Sequence, residues 1–169
     1  VTTERISPGA VKNTVIDEDA AKKEDQTLPK SQMTASYSVP IMSESFEGNY
    51  PPSTGWSIYD ANPNDGMEYF WDDDEFRSYT GYWAAWPARG GANGIDPTLS
   101  TTYPANMDTW MIYGPFDLSN AKSASIAFML WRNIELTYDR IFFGISGDGT
   151  IYSGWSWDGS ADWESKSFN

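Results

Sequence analysis

Histidine and cysteine are both absent from the 169 residues. Without histidine there is no Ser-His or Cys-His nucleophilic pair and no imidazole-bound zinc. Without cysteine there is neither thiol chemistry nor a disulfide. That absence does not place the chain in the cytosol, since secreted bacterial proteins also manage without it. Basic residues are scarce: 11 Lys+Arg stand against 24 Asp+Glu, for a net charge of −13 and a pI near 4.1. This argues against nucleic acid and against an anionic membrane surface, because phosphate binding needs clustered Lys and Arg. No run is long and apolar enough to span a membrane, so no membrane insertion is expected. The first residue is Val1 rather than Met, which fits a processed export product or a fragment.

Aromatic residues are abundant, at 16 % of the chain, within a hydrophobic fraction of 40 %. Each buried ring removes roughly 150–250 Å² from water, so one sizeable core can form. The rings are unevenly placed. All nine Trp and every Phe follow residue 45, and Tyr37 is the one large aromatic before it. Residues 1–40 therefore read as an extended polar arm or linker, and residues 41–169 as the folded body. Asp17 to Asp25 can form a helical turn or two but lacks the apolar content to fold alone. The arm gains order only by docking, onto its own body or onto a neighbouring subunit. Thr34 to Ile41 alternates like a strand, with Tyr37, Val39 and Ile41 on one face as candidate assembly residues. Pro40 confines it to an edge or a strand end.

The body reads as short strands between Gly/Pro turns, near 41–47, 55–59, 67–72, 80–86, 107–113, 123–132, 139–146, 150–157 and 163–168. Residues 123–131 become almost continuously apolar, as in a strand covered on both faces. Gly147-Asp148-Gly149 is expected to be a hairpin turn whose glycines supply positive φ. No amphipathic helix longer than two turns is visible. The expected fold is an all-β, antiparallel sandwich.

Three blocks carry a family resemblance. They are Ser45-Phe46-Glu47-Gly48 with Pro51-Pro52 and Gly55-Trp56; Asp108-Thr109-Trp110 through Pro115-Phe116-Asp117-Leu118-Ser119; and Asp139 through Ser146-Gly147-Asp148-Gly149, with Trp163 opening the next strand. Over about residues 44–169 the body resembles the jelly-roll modules called choice-of-anchor or cleaved-adhesin domains, relatives of the MAM domain. Such modules are found in secreted bacterial proteins and with immune-inhibitor-A-type peptidases. The resemblance implies an extracellular or cell-surface, non-catalytic module. It also implies further strands and an acidic segment after Trp163, whereas this chain stops at Asn169. The body is therefore expected to lack the family's last strands and to be completed by the arm or a partner chain.

Several residues are candidates for a structural calcium site. Asp60, Asn62, Asn64 and Asp65 place side-chain oxygens in one loop. They miss the D-x-[DN]-x-[DN]-G pattern, because Gly66 is one place late and Trp71 stands where Glu is required. The favoured competing reading of the loop is an Asx-rich turn between strands. Asp72, Asp73 and Asp74, with Glu75, either bind a cation or form a solvated acidic loop. Glu47 is a further candidate through the resemblance, since related jelly rolls hold calcium near this strand.

Exposed Trp can stack on sugar rings. Trp83 and Trp86 are three apart and face opposite sides of a regular strand, unless the strand breaks. Trp155 and Trp157 are two apart and share one face, the better arrangement for a ligand-binding patch. The competing reading is that these rings fill the core. No carboxylate pair is singled out for glycoside hydrolysis, so no enzyme is expected. The leading expectation is adhesion or assembly by protein–protein contact, with copies of itself or another cell-surface protein as partner. The alternatives are a carbohydrate-binding module of a secreted hydrolase and a structural spacer of a secreted peptidase.

Overall fold

The computed structural model of the chain describes residues 38–52, 55–100 and 103–169. The chain divides into two units, Val1–Val39 and Pro40–Asn169. Of the first, only Ser38 and Val39 are described, and both are exposed. Tyr37 and nearly all of the predicted arm lie outside the described residues.

The second unit is all-β. Its strands are β1 (Trp56–Asp60), β2 (Phe70–Asp74), β3 (Ala84–Gly90), β4 (Thr109–Tyr113), β5 (Ile126–Asn133), β6 (Ile141–Ile145), β7 (Ser153–Trp157) and β8 (Ser160–Phe168). The described residues contain no helix, and hence none long and apolar enough to cross a membrane. The strands pair into four two-stranded sheets, β1–β4, β2–β3, β5–β8 and β6–β7. Every pair is antiparallel and no sheet closes into a barrel.

Aromatic and β-branched residues favour the extended backbone of β1, β4, β5 and β6. Across β1–β4, Trp56 stands opposite Tyr113 and Tyr59 opposite Trp110. The first pair meets edge to face at 5.2 Å and the second stacks at 6.5 Å. Each cross-strand pair of this kind contributes roughly 0.2–1 kcal/mol. In β2–β3 the register shifts between Phe70 and Asp72. Pro87 sits in the β3 stretch opposite that shift, where a residue without an N–H costs no ladder bond. A second shift, between Leu130 and Arg132, falls at Trp131.

Few side chains are fully enclosed. Among the described residues, Tyr50, Tyr69, Ala88 and Leu130 are the buried hydrophobic ones. Most of the remaining apolar contact is made by half-buried rings in two groups. One runs Phe46–Tyr50–Trp56–Tyr113–Phe116, each ring 5.0–5.5 Å from the next. The other joins Phe128 of β5 and Phe168 of β8 to Phe143, Trp155 and Trp157 of β6–β7. Alternation puts Phe142 on the opposite face of β6 from Phe143. There it meets Trp110 of β4 at 5.9 Å. The β6–β7 ribbon is thus contacted by rings on both faces.

Several expected elements differ. Residues 41–47 form no strand. The chain leaves extended geometry at Phe46, whose φ is 61°, and Glu44 Oε1 accepts the Phe46 N–H at 2.8 Å. A side chain thereby takes a backbone donor that a ladder would need. The strand expected at 80–86 begins at Ala84, because Gly81, with φ 73°, holds a turn before it. The turn after β6 is longer than a tight hairpin and spans Ser146–Tyr152. Ser146 Oγ accepts the Gly149 N–H, and Asp148 Oδ1 accepts those of Thr150 and Ile151. Of its glycines only Gly149 has positive φ. Trp163 lies within β8 rather than opening it.

Candidate functional site

The acidic residues singled out by sequence are distributed over three places. In the loop after β1, Asp60 Oδ1 accepts the Asn62 N–H at 2.8 Å and Oδ2 that of Tyr69 at 3.0 Å. Asp65 Oδ1 accepts the Met67 N–H, and its Oδ2 accepts Asn62 Nδ2. The same amide donates to the Asn106 carbonyl. Asn64 is exposed at the tip. The loop is a network of Asx turns in which the carboxylates hold backbone donors. An open recess of about 300 Å³ lies against it, lined by Ile58, Tyr59, Asp60, Pro63, Met67, Glu68 and Phe70.

Glu47 lies elsewhere. Its Oε1 accepts the N–H groups of Tyr82 and Trp83, at 2.7 and 2.9 Å. A Cβ on Gly81 would overlap this carboxylate, so the turn requires glycine on two counts, space and φ. Glu47 therefore fixes the entry to β3.

The acidic run 72–74 forms the end of β2 rather than a solvated loop. Asp72 Oδ1 accepts the Asp73 N–H. Burial raises the Asp73 carboxyl above its ordinary value, and the neighbouring Asp72 adds to the effect. Asp74 is buried, pairs with Arg89 Nε at 2.7 Å and accepts the Phe76 N–H. Among the described residues, no three His, Cys, Asp or Glu side chains converge as a metal-holding group.

The aromatic candidates separate as well. Trp155 and Trp157 do share a face of β7, with Trp155 46 % exposed. That face packs on Phe168, whose ring lies 4.1 Å from Trp155 and 6.2 Å from Trp157. Lys166 Nζ lies 5.1 Å over Trp157. Trp83 precedes β3 and Trp86 lies within it, so the alternation of a continuous strand does not relate the two. Val39 and Ile41 are exposed.

Trp86, a ligand-binding candidate in the sequence, leads to a recess whose other lining residues sequence reasoning missed. Its ring stacks on Tyr103 at 5.6 Å and meets the edge of Phe76 at 5.9 Å. With Arg77, Pro97, Ser100, Trp131 and Asn133 these residues line a recess of about 130 Å³. The Arg77 guanidinium lies 4.5 Å from the Trp131 ring centre and 5.7 Å from that of Phe76. Burial, and secondarily Asp139, push the Tyr103 phenol up to about 12. It is a neutral hydroxyl donor at physiological pH. Phe76 and Arg77 follow β2, Trp86 belongs to β3, Trp131 sits at the β5 irregularity and Tyr103 lies in the connection to β4. No local spacing links them. The available signals were Trp86, already a candidate, and Arg77, a rare cation beside an aromatic.

No family model matches the chain, and comparison with curated proteins and with solved structures gives no match either.

Proposed function

We propose that the body is a non-catalytic antiparallel β-sandwich of the jelly-roll kind, acting outside the cell in adhesion or assembly through protein–protein contact. The observation that carries this reading is the pairing of its strands. Each sheet stops at two strands, so among the described residues every strand presents one edge without a ladder partner. Such edges are templates for another chain. One ribbon also carries exposed large apolar side chains. On and next to β6–β7, Ile145 is 61 %, Ile151 72 % and Trp155 46 % exposed. The sequence blocks that resemble those of choice-of-anchor and cleaved-adhesin modules point the same way.

The partner in this reading is a second copy of the chain, and the donated strand is residues 34–41. Tyr37, Val39 and Ile41 alternate there, giving one apolar face to bury. Val39 and Ile41 are 64 % and 59 % exposed in the single chain. Ladder hydrogen bonds and burial of these side chains would supply the attraction. Mass photometry of the full chain and of a chain lacking residues 1–40 tests the reading. Oligomers lost on deletion are expected; stable monomers in both samples would refute it.

A further inference from the structure

We propose that the outer edge of β7 is the acceptor in assembly: it receives residues 37–41 of a second copy as an added antiparallel strand. This rests on the strand-donation reading above and names the edge that reading leaves open. Natural sheets guard their edges with charge, proline or covering structure. Three of the four strand pairs carry such guards. Asp60 lies in β1, Pro87 and Arg89 in β3, Arg132 in β5 and Glu164 in β8. The β6–β7 ribbon holds no charged residue and no proline. Of the described strands, β6 and β7 approach only each other at the backbone, whereas β4, also uncharged, lies beside β2 and β3 as well as its partner β1. Within the ribbon β7 is the open side. Ser153, Gly154, Trp155 and Ser156 are exposed, while Ile141, Phe143 and Gly144 of β6 are half-buried.

The donor matches this edge in charge and in alternation. Residues 31–43 carry no charge, in a chain whose net charge is −13. Two copies so charged repel each other, and an uncharged strand laid on an uncharged edge keeps that repulsion out of the contact. In an antiparallel ladder, alternate residues direct both backbone groups to the same neighbour. Pro40 has no N–H, so it fits where its backbone faces away from β7. Tyr37, Val39 and Ile41 then face the ladder, and their side chains share one side. The antiparallel register that joins them to the aromatic face of β7 sets Tyr37 opposite Trp157, Val39 opposite Trp155 and Ile41 opposite Ser153. Trp155, 46 % exposed, gains an apolar neighbour across the new pair. Pro40 falls opposite Gly154, where no side chain obstructs its ring. Ser38 falls opposite Ser156, an exposed residue whose Oγ accepts one long hydrogen bond, 3.5 Å from Arg140 Nη1.

Because the chain has no cysteine of its own, disulfide trapping reads this register directly. Ser38→Cys and Ser156→Cys are made in separate full-length chains, mixed and oxidised, and the products are read by non-reducing gel and mass spectrometry. A cross-strand pair of this kind, between ladder bonds, holds its Cα atoms about 4.5 Å apart. That lies within the roughly 4.4–6.8 Å a disulfide spans. A covalent dimer joining the two different variants is expected, with little from either alone. Ser38→Cys mixed with Ser57→Cys of β1, or with Ser165→Cys of β8, is expected to give far less, although both serines are exposed. Ser153→Lys, which sets a charge on the β7 edge, is expected to weaken association about tenfold in mass photometry while leaving the urea midpoint in place. Assembly that is lost on deletion of residues 1–40, with no dimer joining positions 38 and 156, overturns the assignment of β7. So does a dimer formed as readily through position 57 or 165. Ser38→Cys and Ser156→Cys placed in one chain and closing within a monomer overturn it too. A chain that stays monomeric throughout removes the strand-donation reading itself, and this acceptor with it.

Discussion

Arg89 Nε lies 2.7 Å from Asp74 Oδ2, tying β3 to the last residue of β2 through a carboxylate that is only 7 % exposed at its side chain. Removing the arginine leaves that charge enclosed without a counterion. Arg89→Ala is expected to destabilise the fold by about 2 kcal/mol. This is less than the 3–5 kcal/mol of a fully enclosed pair, because the Arg89 side chain is itself 38 % exposed. Asp74→Asn added to Arg89→Ala is expected to recover part of the loss. Urea denaturation of the single and double variants measures both effects.

Phe168 sits where four other rings converge, at 4.1 Å from Trp155, 4.8 Å from Phe143, 6.1 Å from Phe128 and 6.2 Å from Trp157. Phe168→Ala is expected to cost about 2–3 kcal/mol, below the range for a fully enclosed phenylalanine because this ring is half-buried. Phe168→Leu should cost less. Tryptophan emission, shifting to the red as Trp155 and Trp157 gain water, reads the local change, and the urea midpoint reads the global one.

The Asp73 carboxyl is raised by burial and by Asp72. The folded chain therefore holds this proton more tightly than the unfolded chain. Asp73 favours folding below its ordinary value of 3.8, and stability falls as pH rises through its folded value. Asp73→Asn is expected to raise the urea midpoint at neutral pH, the gap closing near about pH 3. Glu164 has the opposite sign. The hydrogen bonds of Lys166 and Arg132 hold it low, so its contribution is present above its ordinary value and lost as pH falls through the lowered one. Glu164→Gln is expected to flatten the acid limb.

At the alkaline end Tyr103 dominates the recess. Its phenol is pushed from 10.0 up to about 12, first by burial and then by Asp139. Stability is full below the ordinary value and declines as pH climbs from 10.0 towards about 12. Tyr103→Phe is expected to remove that share of the decline. Asp139→Asn should move the phenol part of the way back, read as phenolate absorbance during a pH titration.

Much of the strand content was legible locally. The apolar run through Phe128 and Leu130, the alternation before Gly144 and the Trp-rich segment at 153–157 each carry strand signals in a few residues. The misreadings at 41–47 and 80–86 share a cause. Glu44 and Glu47 use their side chains to hold backbone N–H groups, at Phe46 and at Tyr82 and Trp83. Propensity counts such glutamates as neutral, whereas a bonded backbone donor ends a strand. The acidic candidates were legible as a cluster but not by role. Asp74 differs from Asp73 in that Arg89, from the next strand, reaches it and the Phe76 N–H donates to it.

Composition and alternation by themselves determined the chemistry open to this chain: no imidazole, no thiol, an acidic aromatic-rich body, and strands where β-branched and aromatic residues recur with period two. Tertiary structure alone decided which rings meet and which charges are matched. Trp155 and Trp157 turn onto Phe168, while Trp86 joins Tyr103, and Trp131 holds Arg77. The physical reason is range. A strand's periodicity is set by its own backbone, but the partner of a ring or a guanidinium comes from strands and connections far apart in the chain, brought close only by pairing and packing.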